Sequence, residues 1–153
     1  MSGISRGYFK GNKTARIMAP AHPQNVSRPS LIRCSIMKLH DLATLPGEHM
    51  SELILRHVIH TGQMTLSKLR LRAGAVVPLH HHVNEQISIV LSGRLRFEFP
   101  ETTIEVTAGQ IMEIAPNLPH RVEVLEDCDA IDIFAPPRED WKRGDDAYLR
   151  GGR

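Results

Sequence analysis

The sequence predicts an all-β domain, a sandwich or closed barrel, and three observations carry that reading. From residue 52 onward, short stretches alternate apolar and polar side chains with the two-residue period of a strand. Gly, Pro, Asn and Asp interrupt them at regular intervals, as turns do. No stretch holds a 3.6-residue apolar period over the length of a long helix. Such a series of short, punctuated strands fits a rolled-up antiparallel sheet.

The first strand is expected over residues 51–60, SELILRHVIH, where both faces are partly apolar, as in a strand lying between two sheets. Thr61-Gly62 turns the chain into a second strand near 64–72, and Gly74 breaks it. A strand near 86–91 is followed by Ser92-Gly93, read as a tight turn, and by a hairpin strand at 94–99. There Leu95, Phe97 and Phe99 share one face and Arg94, Arg96 and Glu98 the other. Further strands are expected near 103–106, 111–114, 121–125 and 130–134, separated by Gly109, by Ala115-Pro116-Asn117 and by Glu126-Asp127. The tail from Pro136 to Arg153 is polar, with a short helix expected near 138–142.

A length of 153 residues with 41% hydrophobic side chains suits one compact domain. Residues 1–36 are made differently. They carry six basic and no acidic side chains, three prolines and no apolar period, and read as a basic, irregular N-terminal arm or extension. Residues 37–153 form the folded domain. Aromatic and basic residues do not interleave along the arm, and there is no helix-turn-helix pattern, so nucleic acid is not the expected partner. No apolar run approaches the roughly 20 residues that span a bilayer, and no leader with a cleavage site is seen. Cys34 and Cys128 lack disulfide-framework or metal-ribbon spacing. Reduced thiols in a cytoplasmic protein are expected. Cys128 lies in an acidic EDCD segment, read as a turn, where neighbouring charge disfavours a thiolate and a nucleophilic role.

The chemistry concentrates in GAVVPLHHHVNEQISIVLSG, residues 74–93. On an extended chain His80 and His82 point to one face and His81 to the other, and Gln86 shares the parity of His80 and His82. Imidazole donors suit first-row divalent metals, which need three or four ligands around one point. His120 is the best candidate from a distant strand, because it opens RVEVL after a Pro-rich turn as His80 opens its own segment after Pro78. Glu85 is the alternative carboxylate ligand. His57 and His60 have opposite parity and make no second pair, and His22, His40 and His49 read as loop residues. Near the C-terminus Asp132 and Phe134 share one face of AIDIFAPPR, with Arg138 following. A solvated surface pair is one reading of Asp132 and Arg138; a general acid or base beside a carboxylate clamp is the other.

The spacing from Gly74 through His80, His82 and Gln86 to Gly93 resembles the first signature of the cupin superfamily, with Gln where many members have Glu. GQIMEIAPNLPH, residues 109–120, is similar to the second signature, with Ala115 and Asn117 in place of the usual Pro and Gly. The resemblance implies a double-stranded β-helix, or jelly-roll barrel, holding one divalent transition metal (Mn, Ni, Zn, Fe or Co) on His80, His82, Gln86 and His120. EQISIVLSG, APNLPH and the trio Asp132, Phe134 and Arg138 look like the KdgF-type cupins of pectin and alginate breakdown. That likeness implies an enzyme converting 4,5-unsaturated uronate monosaccharides to linear 5-keto-4-deoxyuronate, with the trio as active-site set and a small anionic substrate. Ser88 stands where related small cupins often have an aromatic residue or Gly. The resemblance also implies a two-fold homodimer, and the face of Leu95, Phe97 and Phe99 is expected to need such protection. Another metallo-cupin isomerase, lyase or dioxygenase acting on a small carboxylate is the competing enzyme reading. The small cupin lyases tend to use a tyrosine, and Tyr8 and Tyr148 both lie outside the expected strands. A non-enzymatic module binding a small acid is the reading from another class.

Overall fold

The computed structural model describes residues 37–150. The basic arm expected over residues 1–36 lies outside them. Among the described residues eight strands follow one another: β1 Gly47–His49, β2 Ile54–His60, β3 Thr65–Leu71, β4 Val76–His80, β5 Glu85–Phe99, β6 Thr102–Thr107, β7 Ile111–Ile114 and β8 His120–Ala135. Two short helices close the described chain, α1 Glu139–Arg143 and α2 Ala147–Arg150.

β5 and β8 organise everything else. They pair antiparallel from Glu85↔Ala135 to Glu98↔Arg121. Each is long enough to belong to two layers. The first half of β5 pairs with β7 and its second half with β6. The second half of β8 pairs with β3, which leads on to β2 and β1, while its first residues pair with β4. One layer is thus β7-β5-β8-β3-β2-β1 and the other β6-β5-β8-β4, rolled together as the expected all-β barrel.

Two expected turns are not turns. Ser92-Gly93 and Glu126-Asp127 both lie inside continuous strands. The ladder between β5 and β8 survives there by shifting register between Val90 and Leu95, and Gly93 takes φ +76°. A glycine bulge bends a strand from one layer to the next without reversing it. The real reversal after residues 94–99 comes at Pro100-Glu101, between β5 and β6. Cys128, expected in a turn, is therefore a buried strand residue. β1 and β4 were not expected, and His49 ends β1 instead of lying in a loop. β4 is hard to read because Pro78 interrupts it, and its pairing with β8 shifts between Val77 and His80.

The core sits between the layers. Leu95, Phe97, Val106, Ile114, Val124 and Val90 are almost fully buried there. The face of Leu95 and Phe97, expected to need a partner subunit, is thus the interior of the chain's own barrel. The tail packs onto this core through Leu149, Trp141 and Tyr148.

A Cβ at Gly93 would stand 2.1 Å from the Asp127 carbonyl oxygen, at a φ that side chains avoid. Gly93→Ala is expected to cost about 2–4 kcal/mol, read as a lowered urea midpoint. An unchanged midpoint would mean that β5 and β8 are not pinned at this bend.

Candidate metal centre

The strands carry the candidate residues into one cavity. His80 closes β4 opposite His120, which opens β8. Gln86 stands opposite Phe134, and Ser88 opposite Asp132. The connection between the two ligand segments is tied by a hydrogen bond of 2.7 Å from the Asn117 amide to the His82 carbonyl. Asn117 sits at φ +62°, which explains how it fills the place of a glycine, since asparagine tolerates the left-handed region. His81 and Glu85 are exposed, whereas His82 and Gln86 are buried, so alternation sorts this segment as the sequence suggests and turns Glu85 away from the site.

One ring nitrogen from each of His80, His82 and His120 lies within 4.8 Å of the others. Each ring is oriented in the same way. The Nδ1 atoms stand 2.8, 2.9 and 2.8 Å from the carbonyls of Pro78, Asn84 and Leu118. A carbonyl only accepts, so each Nδ1 carries the proton and each Nε2 keeps a free lone pair, the tautomer a metal needs. Burial, the largest cause, lowers the pKa of His80 and of His82 to about 4 and lowers that of His120. All three rings are neutral near pH 7.

Gln86 supplies a further test of fit. Its amide is within hydrogen-bonding reach of Asp132 on one side, and its Oε1 stands 3.0 Å from the His82 Nε2 on the other. With the amide NH2 turned to the carboxylate, two lone pairs face each other at that distance. A cation shared between them removes the conflict. Three neutral imidazoles and an amide oxygen can therefore hold a divalent ion, and they leave its charge uncompensated.

Asp132 is 8% exposed and faces this cavity, not solvent. Ser88 Oγ donates to its Oδ1 at 2.6 Å. Burial raises its pKa to about 6, against the hydrogen bonds from Ser88 and Gln86. Phe134 packs edge-on to His82, with ring centroids 5.4 Å apart. Arg138 is also buried in the cavity wall, but its fork is already engaged. Nε and Nη2 donate to Asp140 at 2.9 and 2.6 Å, and Nη2 also donates to the Tyr148 hydroxyl at 2.6 Å. No hydrogen bond engages Nη1 among the described residues, so a bidentate clamp through Nε and Nη2 would first have to displace Asp140.

The sequence reading missed part of the site. Tyr148, expected outside the barrel, lines the cavity and stacks on His80 at 4.8 Å between centroids. Trp141 lines it too, 5.0 Å from Phe134 and 4.2 Å from the Arg138 guanidinium carbon. Both belong to a short polar tail whose periodicity is too brief to predict a packing face. Ser88 is buried in the site as well, and its parity with Gln86 is the signal in the sequence that it faces inward. The remaining described histidines stay apart: His57 bonds the Leu45 carbonyl and His60 the Thr65 hydroxyl. Cys128 is disfavoured as a thiolate, with its pKa pushed up to about 11 chiefly by burial and then by Asp129 and Asp132.

The three depressed imidazoles fix a pH dependence for metal-free protein. On acidification the unfolded chain protonates these rings through pH 6.5, but folded His80 and His82 resist until about pH 4. Their contribution to stability is full above 6.5 and is lost as pH falls between those values. The metal-free Tm should drop across that window, and a His80→Gln/His82→Gln double variant should show a flatter profile. Equal slopes in the two proteins would mean that the rings are not buried neutral.

Comparison with known proteins agrees with this fold. Residues 67–134 match the family model described as Cupin domain. No curated protein matches the sequence. Among solved structures, KdgF from Halomonas sp. is 23% identical, with a TM-score of 0.64 over 68% of this chain and 99% of that one. An RmlC-like cupin from Shewanella frigidimarina is 21% identical, with a TM-score of 0.64 over 69% and 96%. The Mn(II)-containing oxalate decarboxylase of Bacillus subtilis is 15% identical, with a TM-score of 0.60 over 71% of this chain and only 32% of that enzyme. No helix among the described residues is long and apolar enough to cross a membrane. The match spans the strands that carry Gln86, His120 and Asp132, and the same rolled sheet recurs in each of these structures: residues 67–134 form a cupin domain, and the fold is that of a cupin barrel.

Proposed function

We propose that this chain is a metal-dependent enzyme that opens 4,5-unsaturated uronate monosaccharides to the linear 5-keto-4-deoxy form. The observation that carries the reading is the pairing, in one cavity, of three oriented neutral imidazoles with a buried carboxyl whose pKa lies near 6. The likeness in fold to KdgF and the inward placement of Asp132, Phe134 and Arg138 support it.

His80, His82, Gln86 and His120 would hold the metal, which supplies Lewis acidity toward an oxygen of the anionic substrate. The neutral ligand set favours an anion at that point. Asp132, partly protonated near neutral pH, delivers a proton to C4 of the enol ether, and water adds its oxygen to C5. The proton released by that water returns to the carboxylate. The C5 hydroxyl then gives up its proton, the bond from C5 to the ring oxygen breaks and that oxygen takes a proton, leaving a ketone at C5 and a hydrated aldehyde at C1. Ser88 holds the Asp132 carboxyl in place, and Phe134 keeps the adjoining wall apolar, which sustains the raised pKa. Arg138 orients Tyr148 and offers Nη1 to the substrate. A homodimer in the cytoplasm remains part of the proposal; the exposed Leu79, Val83 and Ile111 are apolar surface on which a second subunit can pack.

A second reading has its own observation. Tyr148 places a phenol against His80 and Arg138, which supports the alternative of a metallo-cupin lyase acting on a small carboxylate.

Protein purified without a nickel column is expected to carry about one equivalent of divalent metal and to remove the absorbance of a 4,5-unsaturated galacturonate. His82→Ala should lose the metal and the turnover. Asp132→Asn should keep the metal and lose roughly 10²–10⁴-fold in kcat. Metal without turnover in the wild type would sink the uronate reading. Tyr148→Phe is expected to reduce uronate turnover by less than tenfold; loss comparable to that of Asp132→Asn would favour the phenol as the proton-transfer group and the lyase class.

A further inference from the structure

Arg56 lies in β2 with 4% of its surface exposed, and its side chain lines the cavity that holds the histidines and Asp132. The register places it. Arg56 pairs with Leu69 and Leu69 with Ala130, a row one pleat, roughly 7 Å, from the row of Ser67, Asp132 and Ser88. Its Nη2 donates to Glu48 at 2.8 Å and to Asp146 at 2.6 Å. Its guanidinium carbon stands 4.4 Å from the centroid of Trp141, the ring that Arg138 also covers.

Nε and Nη1 of Arg56 are fully shielded and have no acceptor among the described residues. A buried donor left unpaired costs about 1–3 kcal/mol, more on a charged group. Such groups are rare in folded proteins, and each calls for an account: strain, a catalytic role, or a bound water, ion or ligand that completes it. The charge around Arg56 is matched, because Arg56 and Arg150 share Glu48 and Asp146. What is unmatched is hydrogen bonding, and an anionic oxygen satisfies a guanidinium about twice as well as a neutral one. Arg138 differs, since Asp140 and Tyr148 already occupy its Nε and Nη2.

We propose that Arg56 is a ligand-binding residue of this cavity, its Nε and Nη1 taking oxygens of the acidic group of a small organic acid when the side chains that shield them move aside. The inference deepens the reading of the cavity as the substrate site and holds whichever reaction follows there. It gives the carboxylate contact expected of Arg138 chiefly to Arg56 and leaves Arg138 as the positioning residue for Trp141 and Tyr148.

The test is calorimetric titration of metal-loaded protein with D-galacturonate and, separately, with D-galactose, the neutral sugar of the same ring. Wild type should prefer the acid. Arg56→Gln should lower that preference roughly 10- to 100-fold with metal content unchanged. Arg56→Lys keeps the charge and an ion pair but lacks both free donors, and should lose the preference as well, so the test stands even where Arg56→Gln does not fold. Glu48→Gln weakens the same ion pair and leaves both donors, and should keep the preference. The proposal is overturned by no acid preference in wild type, by an unchanged preference in both Arg56 variants, or by an equal loss in Glu48→Gln. Acid preference that follows Arg56 without turnover of unsaturated uronates upholds the inference and removes the reaction; turnover with a preference indifferent to Arg56 does the reverse.

Discussion

The end-to-end pairing of β5 with β8 is the constraint on which the rest of the structure depends. Neither strand could lie in two layers if it were broken at Ser92-Gly93 or Glu126-Asp127, and the barrel would open into separate hairpins. Gly93 makes the continuity possible, because its missing Cβ lets the chain bend against the Asp127 carbonyl without losing the ladder. The same ladder sets the site. It places Gln86 beside Phe134 and Ser88 beside Asp132, and β8 begins at His120, opposite His80.

Burial then turns these placements into chemistry. A ring in water titrates near 6.5, but the cavity wall disfavours its charged form, and a backbone carbonyl at each Nδ1 settles which nitrogen keeps its lone pair. The same desolvation acts in the opposite sense on Asp132 and brings it toward neutrality. One physical cause therefore prepares neutral donors and a carboxyl with a raised pKa side by side. Gln86 connects them, with one end of its amide toward the carboxylate and the other toward His82.

The C-terminal tail contributes more than its length suggests. Trp141 and Tyr148 bring aromatic faces to two buried guanidiniums, those of Arg56 and Arg138, and to the ring of His80. Asp140 and Asp146 balance those arginines from the tail itself. Guanidiniums stacked on rings are held in place with little loss of hydrogen-bonding capacity, since the donors lie in the plane and the ring contacts the face. The tail thus fixes the polar wall of the cavity from outside the barrel.

The sequence by itself determined the fold class, the two segments that carry the candidate ligands and the inward side of the first, because strand parity is local: it separates His80, His82 and Gln86 from His81 and Glu85 without knowledge of any neighbour. It also determined that Asp132 and Phe134 share a face. What it left open was decided by contacts between residues far apart in the chain. Whether Gly93 reverses a strand or bends it depends on the partner strand, and an isolated glycine signals both equally. Whether Leu95 and Phe97 face a second subunit or the chain's own core depends on which way the sheet rolls. Tyr148, Trp141 and Arg56 joined the site only in the tertiary structure, since a four-residue helix has no readable face and an arginine in a strand looks like surface until 90 residues later Asp146 comes to meet it.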